Sequence, residues 1–459
     1  MRDITVAFDP QSDKPLYEQL TAHIIEEIKT GRLMSGEKLP GVRTLSTHLG
    51  ISKSTVESAY QILAAEGYVQ GRARSGYYVE AYESTLKPRI SVPRTVEQAQ
   101  YTPYAYRFSS AEVDTAEFPY RAWAKLYKDV LGHGSGLLHR GHPQGDIELR
   151  QALAEFLHQY RGVSCNASQI VIGAGVDHLL GMLLLLLGSD AVYALEDPGY
   201  PSNCRTIQNG GRRSRDVLLD ASGLDVAQLS RMGANIAYVT PSHQFPTGIT
   251  MPIGRRLKLI AWANAAPNRY IIEDDYDSEF RHTTRPIPAM QGMDTHRVIY
   301  LGTFNRSIAP SIRVAYMVLP DELLPRLDSS YMHASCPVSR FEQQTLARFI
   351  TEGHYQRHLR RMAGVYRRRR DALIEAMGKI DGVTLTGHEA GLHCLLTHAH
   401  LSERELIDRA KEKDALFKGL SEYARGHDCK ENTLVVGFGG ISEEEIFAAA
   451  GLLREAWCD

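Results

Sequence analysis

Tyr270-Ile271-Ile272-Glu273-Asp274-Asp275-Tyr276-Asp277 sets a short apolar run against a cluster of acids. The run reads as a buried strand, with the acids right after it. Other strand candidates flank it: Ile170-Val171-Ile172, residues 191–194, Ile236–Val239 and Val298-Ile299-Tyr300, with helical patterns between most of them. Strands alternating with helices predict a mostly parallel sheet covered on both faces. Ligands on such sheets sit at the carboxyl ends of the strands. The loops after these strands are therefore the places to look for chemistry.

Each of those loops carries a polar or glycine-rich motif. Gly173-Ala174-Gly175-Val176-Asp177 follows the first strand and opens a helix, where backbone N–H groups and the helix dipole favour an anion. Alone, that is a weak signal. Glu196-Asp197-Pro198-Gly199-Tyr200 follows the second strand, and Pro241-Ser242-His243-Gln244-Phe245-Pro246-Thr247-Gly248 the third. The last strand runs into Tyr300-Leu301-Gly302-Thr303-Phe304-Asn305-Arg306-Ser307, with Arg313 shortly beyond.

The chain has 459 residues and a mass of 51.3 kDa, enough for more than one domain. A net charge of −2 and a pI near 6.8 exclude a protein that coats nucleic acid through global basicity, though not a local DNA reader. No segment reaches the roughly 20 apolar residues that span a bilayer, and Met1-Arg2-Asp3-Ile4 does not open a signal core. A cytoplasmic location and no membrane partner are expected. Cysteines 165, 204, 336, 394, 429 and 458 show no CxxC spacing, so neither a disulfide frame nor a metal site is expected.

Residues 81–107 lack sustained periodicity and are broken by Pro88, Pro93 and Pro103, which marks a linker. The expected division is a small domain over 10–80, the linker over 81–107, and a large domain over 108–459. Within the small domain, Leu16–Lys29 has one apolar helical face, residues 40–49 form a short helix ended by Gly50, and residues 52–67 form a third helix with Ser52 as N-cap. Tyr68-Val69 and Tyr77-Tyr78-Val79 are strands joined by the turn 71–76.

That order is helix, turn, helix, wing. The second helix of such a pair enters the major groove of DNA by its N-terminal residues, here Ser52, Lys53, Ser54 and Thr55. Arg43 is placed to meet phosphate, and Arg72 and Arg74 sit on the wing. Nine Lys/Arg against ten Asp/Glu over residues 1–80 means the domain is not basic overall, and a helical packing domain would share its apolar pattern. Cations at the turn and wing favour DNA.

Leu16-Tyr17-Glu18-Gln19-Leu20, Gly36-Glu37-Lys38-Leu39-Pro40, Arg43-Thr44-Leu45 and Leu63-Ala64-Ala65-Glu66-Gly67-Tyr68 resemble the GntR-family winged helix. Gly41 departs from it, replacing a usual serine and losing a hydroxyl. The large domain resembles the fold-type-I pyridoxal-phosphate proteins, and Pro241 to Gly248 and residues 271–280 match closely. The fusion of the two is similar to the MocR-type regulators across nearly the whole chain. This implies a winged helix-turn-helix joined to an α/β aminotransferase-like domain with a small C-terminal α+β subdomain. It also implies double-stranded operator DNA and a small-molecule effector as partners, amino compounds being candidates, and a head-to-tail homodimer.

The resemblance implies a site for pyridoxal 5'-phosphate. A pyridinium nitrogen needs a carboxylate, and Asp274 holds that place. Tyr276 would donate to the phenolic oxygen, and Tyr200 would stack on the ring. Gly175, Val176, Thr303 and Arg313 would hold the phosphate, and His243 would either approach the ring or only shape its turn. The family's Schiff-base lysine falls on Arg306, whose delocalised, always-protonated guanidinium is a poor nucleophile. No lysine occurs between Lys258 and Lys379, and Lys258 lies in a helical run that faces solvent. Any bound cofactor would be held non-covalently, and transamination is not expected. Natural divergence and a deliberate block of the Schiff base both fit this residue.

The family's two carboxylate-gripping arginines align with Gly440 and Ser202, so an amino-acid effector held in the usual way is not expected; Arg205 is a stand-in. The basic run Arg357, Arg360, Arg361 and Arg367 to Arg370 reads as a solvated helix face, with contact to bent DNA as the alternative. The expectation is a DNA-binding regulator sensing pyridoxal phosphate or a related molecule. The rivals are an aminotransferase-type enzyme with an accessory DNA-binding domain, and a regulator whose large domain is only a dimerisation scaffold.

Overall fold

The computed structural model describes residues 4–10, 12, 14–81, 104–132, 135–282, 287–331, 333–426 and 431–458. Most of the expected linker, 82–103, lies outside the described residues. The chain divides into two compact units, residues 1–101 and 102–459.

The small unit comprises α1 (Leu16–Lys29), α2 (Val42–Leu49), α3 (Lys53–Ala65), β1 (Val69–Arg72) and β2 (Gly76–Val79), the two strands paired antiparallel. Leu20, Ile24, Leu45, Val56, Tyr60 and Leu63 close its core. Ile4 is buried in the same core, so the unit begins earlier than residue 10. The second helix starts at Val42 instead of residue 40. Gly41 takes an extended N-cap conformation with no side-chain cap, so the helix begins only after it. Ser52 caps α3 as expected, its hydroxyl accepting from Thr55 N at 3.1 Å.

The large unit is built on an eight-stranded sheet: β4 (Ile170–Gly173), β5 (Val192–Asp197), β6 (Arg213–Asp220), β7 (Gly223–Leu224), β8 (Ile236–Val239), β9 (Tyr270–Asp275), β10 (Val298–Thr303) and β11 (Ala315–Val318). Their order is β4-β11-β10-β9-β8-β5-β6-β7, and the five strands from β10 to β6 run parallel. A four-stranded antiparallel sheet near the C-terminus joins Val383–Thr386, His393–His398, Thr433–Gly437 and Lys418–Gly419. Tyr106–Arg107 (β3), expected to end the linker, pairs parallel with Ala415–Leu416 and so belongs to the large unit.

One expectation about β9 is corrected. Glu273, Asp274 and Asp275 do not follow the strand; they are its last three residues, in register with Tyr300, Leu301 and Gly302. Buried carboxylates survive inside a strand only when they are paired. Arg161 Nε meets Asp275 at 2.7 Å, Tyr300 donates to the same oxygen at 2.6 Å, and Glu273 accepts from the N–H groups of Met290 and Gln291.

Candidate functional site

Parallel order places the ends of β4, β5, β8, β9 and β10 along one edge of the sheet. There a cavity of about 460 Å³ is lined by Val176, Tyr200, Asp274, Tyr276, Thr303, Arg306 and Arg313. Seven of the eight residues expected to hold the cofactor thus meet in one place, and the eighth, Gly175, adjoins them as the N-cap of the helix Val176–Leu186. A larger cavity of about 1070 Å³ runs past Leu218, Thr250, Thr386 and Leu395 and holds none of them.

Asp274 accepts from the Tyr238 hydroxyl at 2.6 Å through Oδ2, while Oδ1 is buried without a partner. Burial pushes its pKa up to about 7; the Tyr238 hydrogen bond works against that rise, and Asp275, Asp277 and Glu196 add to it. The carboxyl is thus short of one hydrogen-bond donor, and a pyridinium N–H is one. Glu196, at the end of β5, is also pushed to about 7 by burial, although Thr240 donates to it through N–H and hydroxyl.

The anion end is built around Gly175. With φ at +105° it adopts a conformation that side chains rarely take, and a Cβ there would stand 2.6 Å from Arg313 Nη2. Arg313, itself left-handed at φ +50°, donates to Ala174 O at 3.2 Å. Its guanidinium therefore lies beside the positive end of a helix, with Thr303 close by in the lining. These residues fit a phosphate, and the unpartnered Asp274 oxygen fits a ring nitrogen.

Tyr276 is more committed than the sequence suggests. Its hydroxyl donates to His243 O at 2.9 Å, so donation to a ligand requires that bond to exchange. His243 is buried, with Nδ1 3.0 Å from Asp277 and Nε2 3.4 Å from Gly387 O. Its ring packs 4.5 Å from His393, whose Nε2 meets Pro246 O at 3.2 Å. His243, Asp277 and His393 are the group of metal-ligating types brought together among the described residues. These hydrogen bonds tie His243 to Asp277 and to the Gly387 backbone, and His393 to the Pro246 backbone. Tyr200 is half exposed and meets Phe245 edge-on at 5.5 Å, leaving a ring face open.

Arg306 lines the cavity with Nη1 buried and unpartnered, and its neighbour Asn305 leaves Oδ1 in the same state. The sequence missed Lys418, which lines the cavity from the C-terminal sheet together with Glu422 and Tyr423. Its ammonium stands 3.2 Å from Glu422. Burial opposes that charge, but Tyr423 and Glu422 outweigh it and raise the pKa, so the amine stays protonated and a poor nucleophile. Nothing near Lys418 in sequence marks it; the fold brings it there. Lys258 is exposed on the helix Ile253–Asn264, as expected.

At the positions aligned with carboxylate-binding arginines, Ser202 donates to Asp177 at 3.0 Å, and a Cβ on Gly440 would meet Glu112 at 2.6 Å. Arg205 lines the cavity and is exposed. The basic helix His354–Met377 is largely occupied with its own unit: Arg361 pairs with Glu117, Arg368 with Glu443, and Arg369 with Asp114.

In the small unit, Arg43, Ser52, Lys53, Ser54, Arg72 and Arg74 are exposed, and Thr55 is partly so. Ser52 Oγ lies 2.8 Å from the hydroxyls of Ser54 and Thr55, so the start of α3 presents a tied set of hydroxyls. Arg72 stacks over Tyr78 at 4.5 Å, and Arg74 takes φ +64° at the wing tip.

Comparison with known proteins agrees with both halves. Residues 16–79 match the family of bacterial regulatory proteins, gntR family, and residues 106–423 match aminotransferase class I and II. The chain is 38% identical to the uncharacterized HTH-type transcriptional regulator YdeL of Bacillus subtilis, covering 99% of each chain. It is 31% identical to the HTH-type pyridoxine biosynthesis transcriptional regulator PdxR of Corynebacterium glutamicum, covering 97% of each. It is also 29% identical to the probable rhizopine catabolism regulatory protein MocR of Rhizobium meliloti, over 98% of this chain and 96% of that one. Among solved structures, the multiple substrate aminotransferase of Thermococcus profundus superposes with a TM-score of 0.69 at 24% identity, covering 78% of this chain and 92% of that one.

Proposed function

The chain belongs to the MocR-type transcriptional regulators, a gntR-family winged helix joined to an aminotransferase-like domain, and from that premise we propose that it binds pyridoxal 5'-phosphate non-covalently as a regulatory ligand. The observation that carries this reading is the cavity itself, whose lining brings together a carboxylate with one unpartnered oxygen, a phosphate cradle, an exposed tyrosine and an arginine. The name of the pyridoxine-biosynthesis relative supports the same class of ligand.

Each residue has a stated task. Asp274 holds the ring nitrogen, Tyr200 covers a ring face, and Gly175, Val176, Thr303 and Arg313 hold the phosphate. Tyr276 meets the phenolic oxygen. When bound, the cofactor supplies an electron-poor ring and an aldehyde. Arg306 can neither bond that aldehyde covalently nor carry a proton to and from a substrate carbon, so the chain is not an aminotransferase. The small unit binds operator DNA through Ser52, Lys53, Ser54 and Thr55 at the groove, with Arg43, Arg72 and Arg74 on the backbone or wing side. Two such heads act in a head-to-tail homodimer in the cytoplasm, coupled to the ligand through residues 81–107. Only a ligand that binds two arrangements of the heads unequally can shift them.

The test uses the full chain. Equilibrium dialysis is expected to show saturable binding of pyridoxal 5'-phosphate. Borohydride treatment followed by mass spectrometry is expected to fix no adduct on the wild type and one on Arg306→Lys. An electrophoretic shift of promoter DNA is expected to weaken in Lys53→Ala and Arg43→Ala. No ligand binding, or unchanged DNA binding in both variants, contradicts the corresponding half of the reading. Measurable transamination by the unmodified chain would restore the enzyme reading.

A further inference from the structure

Three buried polar atoms of cavity residues have no partner in the protein: Asp274 Oδ1, Asn305 Oδ1 and Arg306 Nη1. Buried donors and acceptors left unmet are costly, so a ligand whose groups reach them gains by pairing them. The ring nitrogen proposed above meets the first. The other two belong to consecutive residues on the turn after β10, and they offer a neutral acceptor next to a cationic donor.

We infer, on the reading that a phosphorylated pyridine fills this cavity, that Asn305 and Arg306 select its 4-substituent: the site takes the aldehyde or its hydrate and rejects the aminomethyl form. An aldehyde oxygen has lone pairs and no proton, which matches a guanidinium donor. The hydrate matches both orphans, accepting from Arg306 and donating to Asn305 Oδ1. An aminomethyl group is an ammonium at neutral pH. It has only donors to offer, and it sets one cation against another where burial weakens screening.

The cavity's other acids have tasks of their own. Glu422 is paired with Lys418 at 3.2 Å, Asp274 faces the ring nitrogen, and Asp177, hydrogen-bonded by Ser202 at 3.0 Å, belongs to the first turn of the helix at the phosphate end. Arg205 and Arg313 add positive charge. A lysine at position 306 would favour the aldehyde by condensing with it; arginine can tell the two forms apart only through charge and hydrogen bonding. Replacing it with arginine therefore does more than remove a covalent anchor. It converts the position into a reader of the aldehyde as against the amine, so the DNA-bound heads would respond to one form of the cofactor pool.

Isothermal titration of the full-length protein with pyridoxal 5'-phosphate and with pyridoxamine 5'-phosphate tests this. A charge-assisted hydrogen bond exchanged for a like-charge contact predicts roughly ten- to hundredfold tighter binding of the aldehyde. Arg306→Gln, which keeps a donor and removes the charge, should shrink that ratio to a few-fold while the aldehyde still binds. Equal affinities, or tighter binding of the amine, overturn the selection and leave the cofactor site standing. If neither molecule binds, the cofactor site fails and the selection with it. The wild-type ratio decides even where the variant does not fold. A borohydride-fixed adduct on the wild type would assign the preference to covalent capture and overturn the role of Arg306.

Discussion

Tyr238 donates its hydroxyl to Asp274 at 2.6 Å, from the strand next to it in the sheet, and so fixes which carboxylate oxygen is spent and which is left without a partner. Tyr238 lies on β8 and Asp274 on β9, and Tyr238 is paired in register with Ile272, two residues before the acid. Their meeting follows from parallel pairing rather than from any local motif.

That arrangement makes Asp274 a source of pH-dependent instability. Burial raises the Asp274 pKa from 3.8 to about 7, so the folded chain holds this proton more tightly than the unfolded chain does. Stability from this group is therefore complete below about pH 4 and is lost as pH rises towards 7. Asp274→Asn keeps the shape and the Tyr238 bond without the charge. In calorimetry without ligand, the variant should melt with the wild type at low pH and a few degrees above it near pH 8, as expected for roughly 1 kcal/mol or more. It should also bind pyridoxal 5'-phosphate more weakly, by about tenfold or more. A lower melting temperature at pH 8 would mean that the charge is already compensated.

Gly175 gives a sharper geometric test of the phosphate end. Alanine there must adopt φ +105° and place its Cβ 2.6 Å from Arg313 Nη2, so the guanidinium has to move off the helix N-terminus. The expected result for Gly175→Ala is a loss of pyridoxal 5'-phosphate affinity of about tenfold or more, read by equilibrium dialysis. DNA binding without ligand should be unchanged. Undiminished affinity would remove Gly175 and Arg313 from the site.

How far the sequence could be read depended on whether partners lie close in the chain. Leu16–Lys29 and the cap at Ser52 are local matters of periodicity and a single hydroxyl, and both were legible. Ile236–Val239 was also legible, because a fully buried parallel strand is a plain apolar run. The end of β9 was not. Three acids in a row argue against a strand until Arg161 and Tyr300 are seen to neutralise one of them, and neither is near in sequence. β6 was missed because an alternating strand such as Arg213–Asp220 carries polar residues on its open face. In the site, motif order located Asp274, Thr303 and Arg313. Lys418 and Tyr423 reach the cavity from the C-terminal subdomain, a contact that only tertiary packing creates. The hydroxyl of Tyr276 was legible as a residue but not as a bond, because its acceptor is a backbone carbonyl.

Ser52 separates two roles that coincide at the start of α3. Its hydroxyl caps the helix through Thr55 N at 3.1 Å, and the same helix end is proposed to face DNA. Ser52→Ala should cost about 1 kcal/mol of helix stability, read as faster hydrogen exchange at the first-turn amides of α3. Ser52→Asp keeps an acceptor at the cap and should restore that protection. It also places a negative charge where DNA phosphates would approach, so promoter binding in a mobility-shift assay should fall well below that of the alanine variant. The pair of variants therefore ranks in opposite orders in the two measurements. If the aspartate variant instead binds promoter DNA as well as the wild type does, the N-terminus of α3 does not approach the phosphate backbone, and α3 loses its place as the helix that enters the groove.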